Sequence, residues 1–173
     1  ATPGPWPEGA TWAEVRAGCV AGYTRVARIA RRYGVRVGIE FLGPAGAAMR
    51  TLEQAQEVYR ALGTDNARLV IDLFAFFLGG SALSALQQTR AEDILVVHLA
   101  DCPDPALGPV GRFDRLLPGD GVAPLDRYLG TLAGLGYNGL VYVEVFNKGI
   151  WEREPWEVAR AAYEQSRALY SFG

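Results

Sequence analysis

Ile94-Leu95-Val96-Val97-His98-Leu99-Ala100-Asp101 is an apolar run that ends in polar residues. It contains His98, the only histidine in the 173-residue chain, and Asp101 follows just beyond it. Three other runs end in the same way: Val35-Arg36-Val37-Gly38-Ile39-Glu40, Arg68-Leu69-Val70-Ile71-Asp72 and Leu140-Val141-Tyr142-Val143-Glu144. Short Val/Ile/Leu-rich runs of this kind suit strands of a parallel sheet covered on both faces. Ligand chemistry in such sheets gathers at the carboxyl ends of the strands, where the pattern puts Glu40, Asp72, His98 and Glu144.

The segments between these runs read as helices. Thr11-Trp12-Ala13-Glu14 is a capping box opening a helix that runs to about Tyr33, with Val15, Cys19, Val26, Ile29 and Ala30 on its buried stripe. Gly34 ends it, and the first strand covers about 35–41. Thr51-Leu52-Glu53-Gln54 is a second capping box, for a helix to Leu62, and the second strand spans about 68–73. Phe74 to Gly80 reads as an aromatic loop, and Ser81 as the cap of a helix to about Thr89. The third strand is about 93–100. A long Pro- and Gly-bearing loop runs from Asp101 to Val122, and loops of that length are usually functional or mobile. Pro124 opens a helix to Leu135, the fourth strand spans about 139–146, and Pro155 opens the last helix, to Leu169.

The order α-β-α-β-α-β-α-β-α predicts an α/β fold with right-handed crossovers and a parallel sheet. Side chains two apart share a strand face. Glu40 therefore goes with Gly38 and Arg36, Asp72 with Val70, His98 with Val96 and Ile94, and Glu144 with Tyr142. All four polar residues face inward if the sheet curves into a barrel.

Composition narrows the class. The chain is 50% hydrophobic with a formal net charge of −2, which suits a single soluble domain over 1–173, with the Pro/Gly-rich residues 1–10 as a linker or loop. No run approaches the roughly 20 apolar residues of a membrane span, and no secretory leader is visible, so no membrane partner is expected. Cys19 and Cys102 make no disulfide framework and read as free thiols in a reducing, cytoplasmic setting. No segment concentrates Lys and Arg without nearby acids, so no nucleic-acid partner is expected; the Arg28, Arg31, Arg32 cluster reads as a solvated helix face.

Each polar strand end has an ordinary reading alone. A strand-end acid serves as a helix-cap partner or ion-pair member, and a buried histidine as a satisfied core residue. Together they make a set of three oxygen ligands and one nitrogen, suited to a divalent cation such as Mn²⁺, Mg²⁺ or Co²⁺. A cation also accounts for three converging acids, which would otherwise hold one another protonated. No Walker loop, CxxC, HExxH or Gly-x-Ser-x-Gly competes. Arg112 and Arg115 read as exposed loop arginines, either of which could anchor a substrate carboxylate or phosphate.

With these residues the chain resembles the xylose-isomerase-like TIM-barrel superfamily, and within it the sugar phosphate isomerase/epimerase family. The resemblance rests on Val37-Gly38-Ile39-Glu40-Phe41-Leu42-Gly43-Pro44, Val70-Ile71-Asp72-Leu73-Phe74, Val96-Val97-His98-Leu99-Ala100-Asp101, Asp114-Arg115-Leu116-Leu117-Pro118-Gly119-Asp120-Gly121, and Gly136-Tyr137-Asn138-Gly139 leading to Val143-Glu144-Val145-Phe146-Asn147. It implies a metal set of Glu40, Asp72, His98 and Glu144, with Glu40 and Glu144 also the catalytic acid and base, and Arg115 and Asp101 as substrate-binding residues.

The implied function is a divalent-metal-dependent isomerase or epimerase of a small sugar, sugar phosphate or polyol. A dehydratase of inosose or 3-dehydroshikimate type is the alternative, and a non-catalytic barrel fragment or sugar-binding module is the third. The superfamily's apurinic-site endonucleases use several histidines, which this chain lacks.

Two departures stand out. Relatives often carry histidine three residues after the strand Asp; here that position is Ala75, which leaves the metal set whole and removes one substrate-holding group. Natural divergence, an altered substrate and loss of catalysis all accommodate it. A full barrel takes roughly 250 residues, and this sequence supplies four β/α units resembling the C-terminal half. The expectation is a missing N-terminal half-barrel or association of half-barrels as a homo-oligomer.

Overall fold

Both capping boxes form in the computed structural model, which describes residues 1–170; residues 171–173 of the expected 1–173 domain lie outside it. The Glu14 carboxylate accepts from the Thr11 N–H at 2.8 Å and the Thr11 hydroxyl accepts from the Glu14 N–H, starting α1 (Trp12–Arg31). Thr51 and Gln54 repeat the arrangement for α2 (Leu52–Leu62), which Gly63 ends in a left-handed conformation.

The strands are β1 (Val37–Glu40), β2 (Ala67–Asp72), β3 (Ile94–Leu99) and β4 (Val141–Val143). They lie side by side in sequence order, and every pair is parallel, as the alternation of strands and helices predicts. The intervening helices are α3 (Leu73–Gly79), α4 (Leu83–Gln87) and α5 (Leu125–Gly134), followed by α6 (Lys148–Trp151) and α7 (Pro155–Tyr170). The core lies between sheet and helices, where Ile39, Leu69, Ile71, Val97 and Leu99 meet Leu52, Val58 and Leu129. Among the described residues, no helix is long and apolar enough to cross a membrane.

Several expectations need correction. Phe74 to Gly79 is helical rather than loop, with Gly80 as its left-handed cap, because the Asp72 carboxylate caps the Ala75 N–H at 2.8 Å and Phe74 and Phe76 are fully buried. Ser81 caps nothing. Its hydroxyl accepts from the Leu52 N–H at 3.0 Å, and α4 starts two residues later with no side-chain cap. On α1 the row Val15, Tyr23 and Ala27 is buried, but Val26 and Ile29 are 44% and 49% exposed, because they lie outside the row that meets the sheet and α2. β4 is shorter than 139–146, although the Glu144 N–H still reaches the Leu99 carbonyl at 3.1 Å.

The parity argument needs one change. Leu69 pairs with Ile94 but Val70 pairs with Val96, so Leu95 is an extra residue, a β-bulge. Ile94 joins the helix-side core. Leu95 turns instead to the inner face, where a Cβ on Gly38 would sit 3.1 Å from it and 2.6 Å from Val70.

The long loop is ordered by its own hydrogen bonds. Asp101 and Leu116 exchange backbone bonds of 2.9 and 3.0 Å, and the Val122 N–H returns to the Cys102 carbonyl at 2.9 Å. Residues 1–10 pack on the loop after β1, with the Ala48 N–H bonded to the Gly4 carbonyl at 3.0 Å.

Candidate metal centre

The register brings the strand ends together. Asp72 lies beside His98 and His98 beside Tyr142, while Glu40 lies beside Val70. Glu40 is thus two residues behind Asp72's level and Glu144 two residues beyond His98's. Even steps preserve the face, so all four side chains point inward on a staggered sheet. One ligand atom from each of Glu40, Asp72, His98 and Glu144 lies within 4.8 Å of the others.

His98 stands in the middle. Its Nδ1 is 2.9 Å from Glu40 Oε1, 3.4 Å from Glu144 Oε2 and 3.8 Å from Asp72 Oδ2. Burial opposes the charged ring, but the hydrogen bonds it donates to Glu144 and Glu40, and their charges, outweigh it and raise its pKa to about 10. The charge on the ring thus offsets part of the negative charge of the carboxylates around it. Hydrogen bonding from His98, ahead of its charge and the charges of Arg115 and Arg112, keeps Glu144 ionised below the usual carboxylate range, although burial opposes this.

Asp72 is fully buried, and that desolvation pushes its pKa up against the pull of Arg115 and the Ala75 N–H. Oδ1 is used by the α3 cap. Oδ2 is 2.6 Å from the Arg115 guanidinium, yet no N–H is directed at it, and it has no hydrogen-bond partner. A buried carboxylate oxygen paired only with a guanidinium, beside two more acids and an imidazole, fits a divalent cation.

Arg115 corrects the exposed-loop reading. It is only 5% exposed and is held from both sides: its carbonyl accepts from Asn147 at 3.0 Å, and its guanidinium donates to the Glu144 carbonyl at 3.2 Å. The flanking Leu116-Leu117, with Leu117 buried, is the sequence signal of a packed segment. The expected substrate-binding residue Asp101 sits apart from this cleft. Its carboxylate accepts the N–H groups of Cys102, Gly119 and Ala123 at 2.8, 3.0 and 3.0 Å, tying down the long loop. Ala75 is fully buried where Gly43 approaches its backbone, and its methyl group does not line the cleft.

Above these side chains opens a cleft of ≈ 360 Å³, lined by Glu40 and Glu144 but not by Asp72 or His98, and walled by Phe74, Phe146, Arg112 and Arg115. The composition of Asp72-Leu73-Phe74 and Glu144-Val145-Phe146 carried a sign of these walls that strand reading passed over: each strand-end acid is followed two residues later by an aromatic.

The family model for xylose isomerase-like TIM barrels matches residues 2–169. An inosose isomerase of Halalkalibacterium halodurans is 35% identical over 158 residues, 91% of this chain and 56% of that protein. A 3-dehydroshikimate dehydratase of Pseudomonas aeruginosa is 31% identical over 118 residues, 67% of this chain and 18% of that protein. The crystal structure of the IolI protein with a bound zinc atom superposes with a TM-score of 0.92 at 30% identity, covering 98% of this chain and 61% of that one. The chain spans about half the length of the inosose isomerases it matches.

Proposed function

This chain belongs to the xylose isomerase-like TIM barrel family, and on that premise we propose that it acts as a divalent-metal-dependent isomerase or epimerase of a small sugar-like polyol or its keto form. The observation that carries the reading is the convergence of one ligand atom each from Glu40, Asp72, His98 and Glu144 within 4.8 Å. When bound, a divalent cation supplies Lewis acidity to substrate hydroxyl and carbonyl oxygens. Zinc, which the IolI structure holds, is the first candidate metal, with Mn²⁺, Mg²⁺ and Co²⁺ as alternatives.

The chain's own residues divide the remaining work. Asp72 and His98 stay below the cleft and hold the cation. Glu40 and Glu144 come from the outer strands of the sheet and are the two of the four that line the cleft. In this reading the ionised Glu144 carboxylate takes the proton from the carbon next to the substrate carbonyl, and Glu40 returns one at the neighbouring position or the opposite face. Phe74 and Phe146 shield the proton transfer from water. Asp101 is proposed as a loop anchor and Arg115 as a cleft residue. Dehydration is the second reading, favoured by the similarity to the 3-dehydroshikimate dehydratase: the same carboxylate removes the proton and hands it to a neighbouring hydroxyl, which leaves as water.

The test is hydrogen exchange in deuterated water with zinc- or manganese-loaded protein, screening ketoses, inososes and 3-dehydroshikimate by NMR. Exchange at the carbon beside the carbonyl, lost in Glu144→Gln, supports proton transfer. Product with water expelled selects the dehydratase, and exchange that survives in Glu144→Gln removes that residue from the role.

A further inference from the structure

The cleft over the metal ligands carries more positive charge than its floor requires. The floor holds the carboxylates of Glu40, Asp72 and Glu144. A bound dication together with Arg115 balances those three charges. Arg112 is then in surplus: it is exposed, lines the same cleft, and among the described residues forms no ion pair. Its guanidinium lies 5.3 Å from the Phe146 ring centre. Arg115 lies 5.2 Å from that ring and 4.7 Å from Phe74, so both arginines are stacked on aromatic walls and pre-oriented.

Arg115 is spent on that floor. Its guanidinium is 2.6 Å from Asp72 and 3.3 Å from Glu144 and donates to the Glu144 carbonyl. Among the described residues, Arg112 is left as the cleft arginine without an ion-pair partner, in a cleft with apolar walls, where an anion gains a charge-assisted hydrogen bond.

We infer that this cleft selects a monoanionic substrate, a small polyhydroxy or keto acid whose carboxylate is held on the Arg112 side while its hydroxyl or carbonyl oxygens lie over the metal ligands. The inference rests on the metal-site reading and narrows its substrate class from neutral polyols to sugar acids. A carboxylate is favoured over a phosphate ester on charge and shape. One surplus guanidinium matches one negative charge, and its planar fork fits a carboxylate, whereas a phosphate monoester brings roughly −1.5 to −2 at neutral pH. The cleft of ≈ 360 Å³ is near the small end for ligand sites and suits a molecule of sugar size.

The experiment compares glucose, glucuronate and glucose 6-phosphate, which share a frame and differ at one carbon, as ligands of the zinc-loaded protein by calorimetry. Zinc affinity is measured first without sugar, so that failure of the metal site is read separately from failure of the anion selection. Glucuronate binds about tenfold or more tighter than glucose if a charge-assisted hydrogen bond to arginine is gained. Arg112→Ala erases that difference, and a zinc titration of the same variant shows that the metal site is still loaded. The inference is overturned if glucuronate binds no tighter than glucose, including no binding of either, or if Arg112→Ala leaves the preference intact. Tighter binding of glucose 6-phosphate than glucuronate likewise overturns the carboxylate assignment.

Discussion

A metal ion held by His98 would have to displace the proton that the ring carries. With its folded-state pKa raised from 6.5 to about 10, the ring is charged throughout the neutral range in the metal-free protein. Metal uptake therefore releases that proton, and zinc affinity should rise about tenfold per pH unit between roughly pH 6.5 and 9. Competition titrations with a chelator at several pH values measure the slope, and a flat profile would remove His98 from the ligand set. The same shift acts on folding. A pKa higher in the folded state makes the charged ring stabilising, fully so below about pH 6.5, and that contribution is lost as pH rises through about 10. Denaturant midpoints of the metal-free protein should fall over that window, and less so in His98→Gln. Arg115 gives the opposite kind of test, because it faces a fully buried carboxylate. Arg115→Met leaves Asp72 uncompensated and should cost roughly 3–5 kcal/mol of metal-free stability. The loss should shrink on zinc loading, since a cation then supplies the missing charge; equal losses in both states would show that Asp72 does not face the metal.

At the scale of the element, the strands and their polar ends were legible in the sequence because each is a short apolar run with one charged or imidazole side chain at its end. What was not legible is how neighbouring strands align. Pairing register is a property of two segments, and the extra residue Leu95 shows only when β3 is laid beside β2. Parity within β3 therefore misplaced Ile94 while leaving His98 correct, since Val96 and His98 lie beyond the bulge. The aromatic run after Asp72 was misread for a related reason: its helical state depends on burial and on the Asp72 cap, which a short sequence window cannot weigh. Arg115 was legible as a candidate, but its burial depends on the loop folding back to pair Asp114 with Asn147. The clasp that holds this loop is testable. Asp101→Ala leaves three backbone N–H groups without their acceptor and should lower stability by roughly 3 kcal/mol or more. Amide exchange at Leu116 and Gly119 should accelerate ahead of the β2 and β3 amides, and uniform exchange across the loop and sheet would rule out a local clasp. Gly121 belongs to the same device, since an added Cβ would meet the Cys102 carbonyl and stand 2.5 Å from the Asp101 carboxylate.

For the whole molecule, the alternation of strands and helices predicts the parallel sheet, but a sheet of four strands in a row has two outer edges. Ala1 covers part of one, donating to the Gly38 carbonyl at 2.8 Å and accepting from the Glu40 N–H at 3.2 Å. Beside that edge Val26 and Ile29 of α1 are exposed, and at the other edge so are Leu140, Tyr142 and Val143. Apolar side chains gathered at both outer edges of a sheet favour burial against another protein surface. The prediction at this scale is association. At micromolar concentration the protein should sediment above the 18.7 kDa of one chain. The double variant Val26→Lys, Ile29→Lys should shift it toward one chain without altering zinc affinity, because neither residue touches the ligand set. Sedimentation as a single chain at every concentration would show that these edges tolerate water, and the metal ligands would then have to be held in place by this sheet alone.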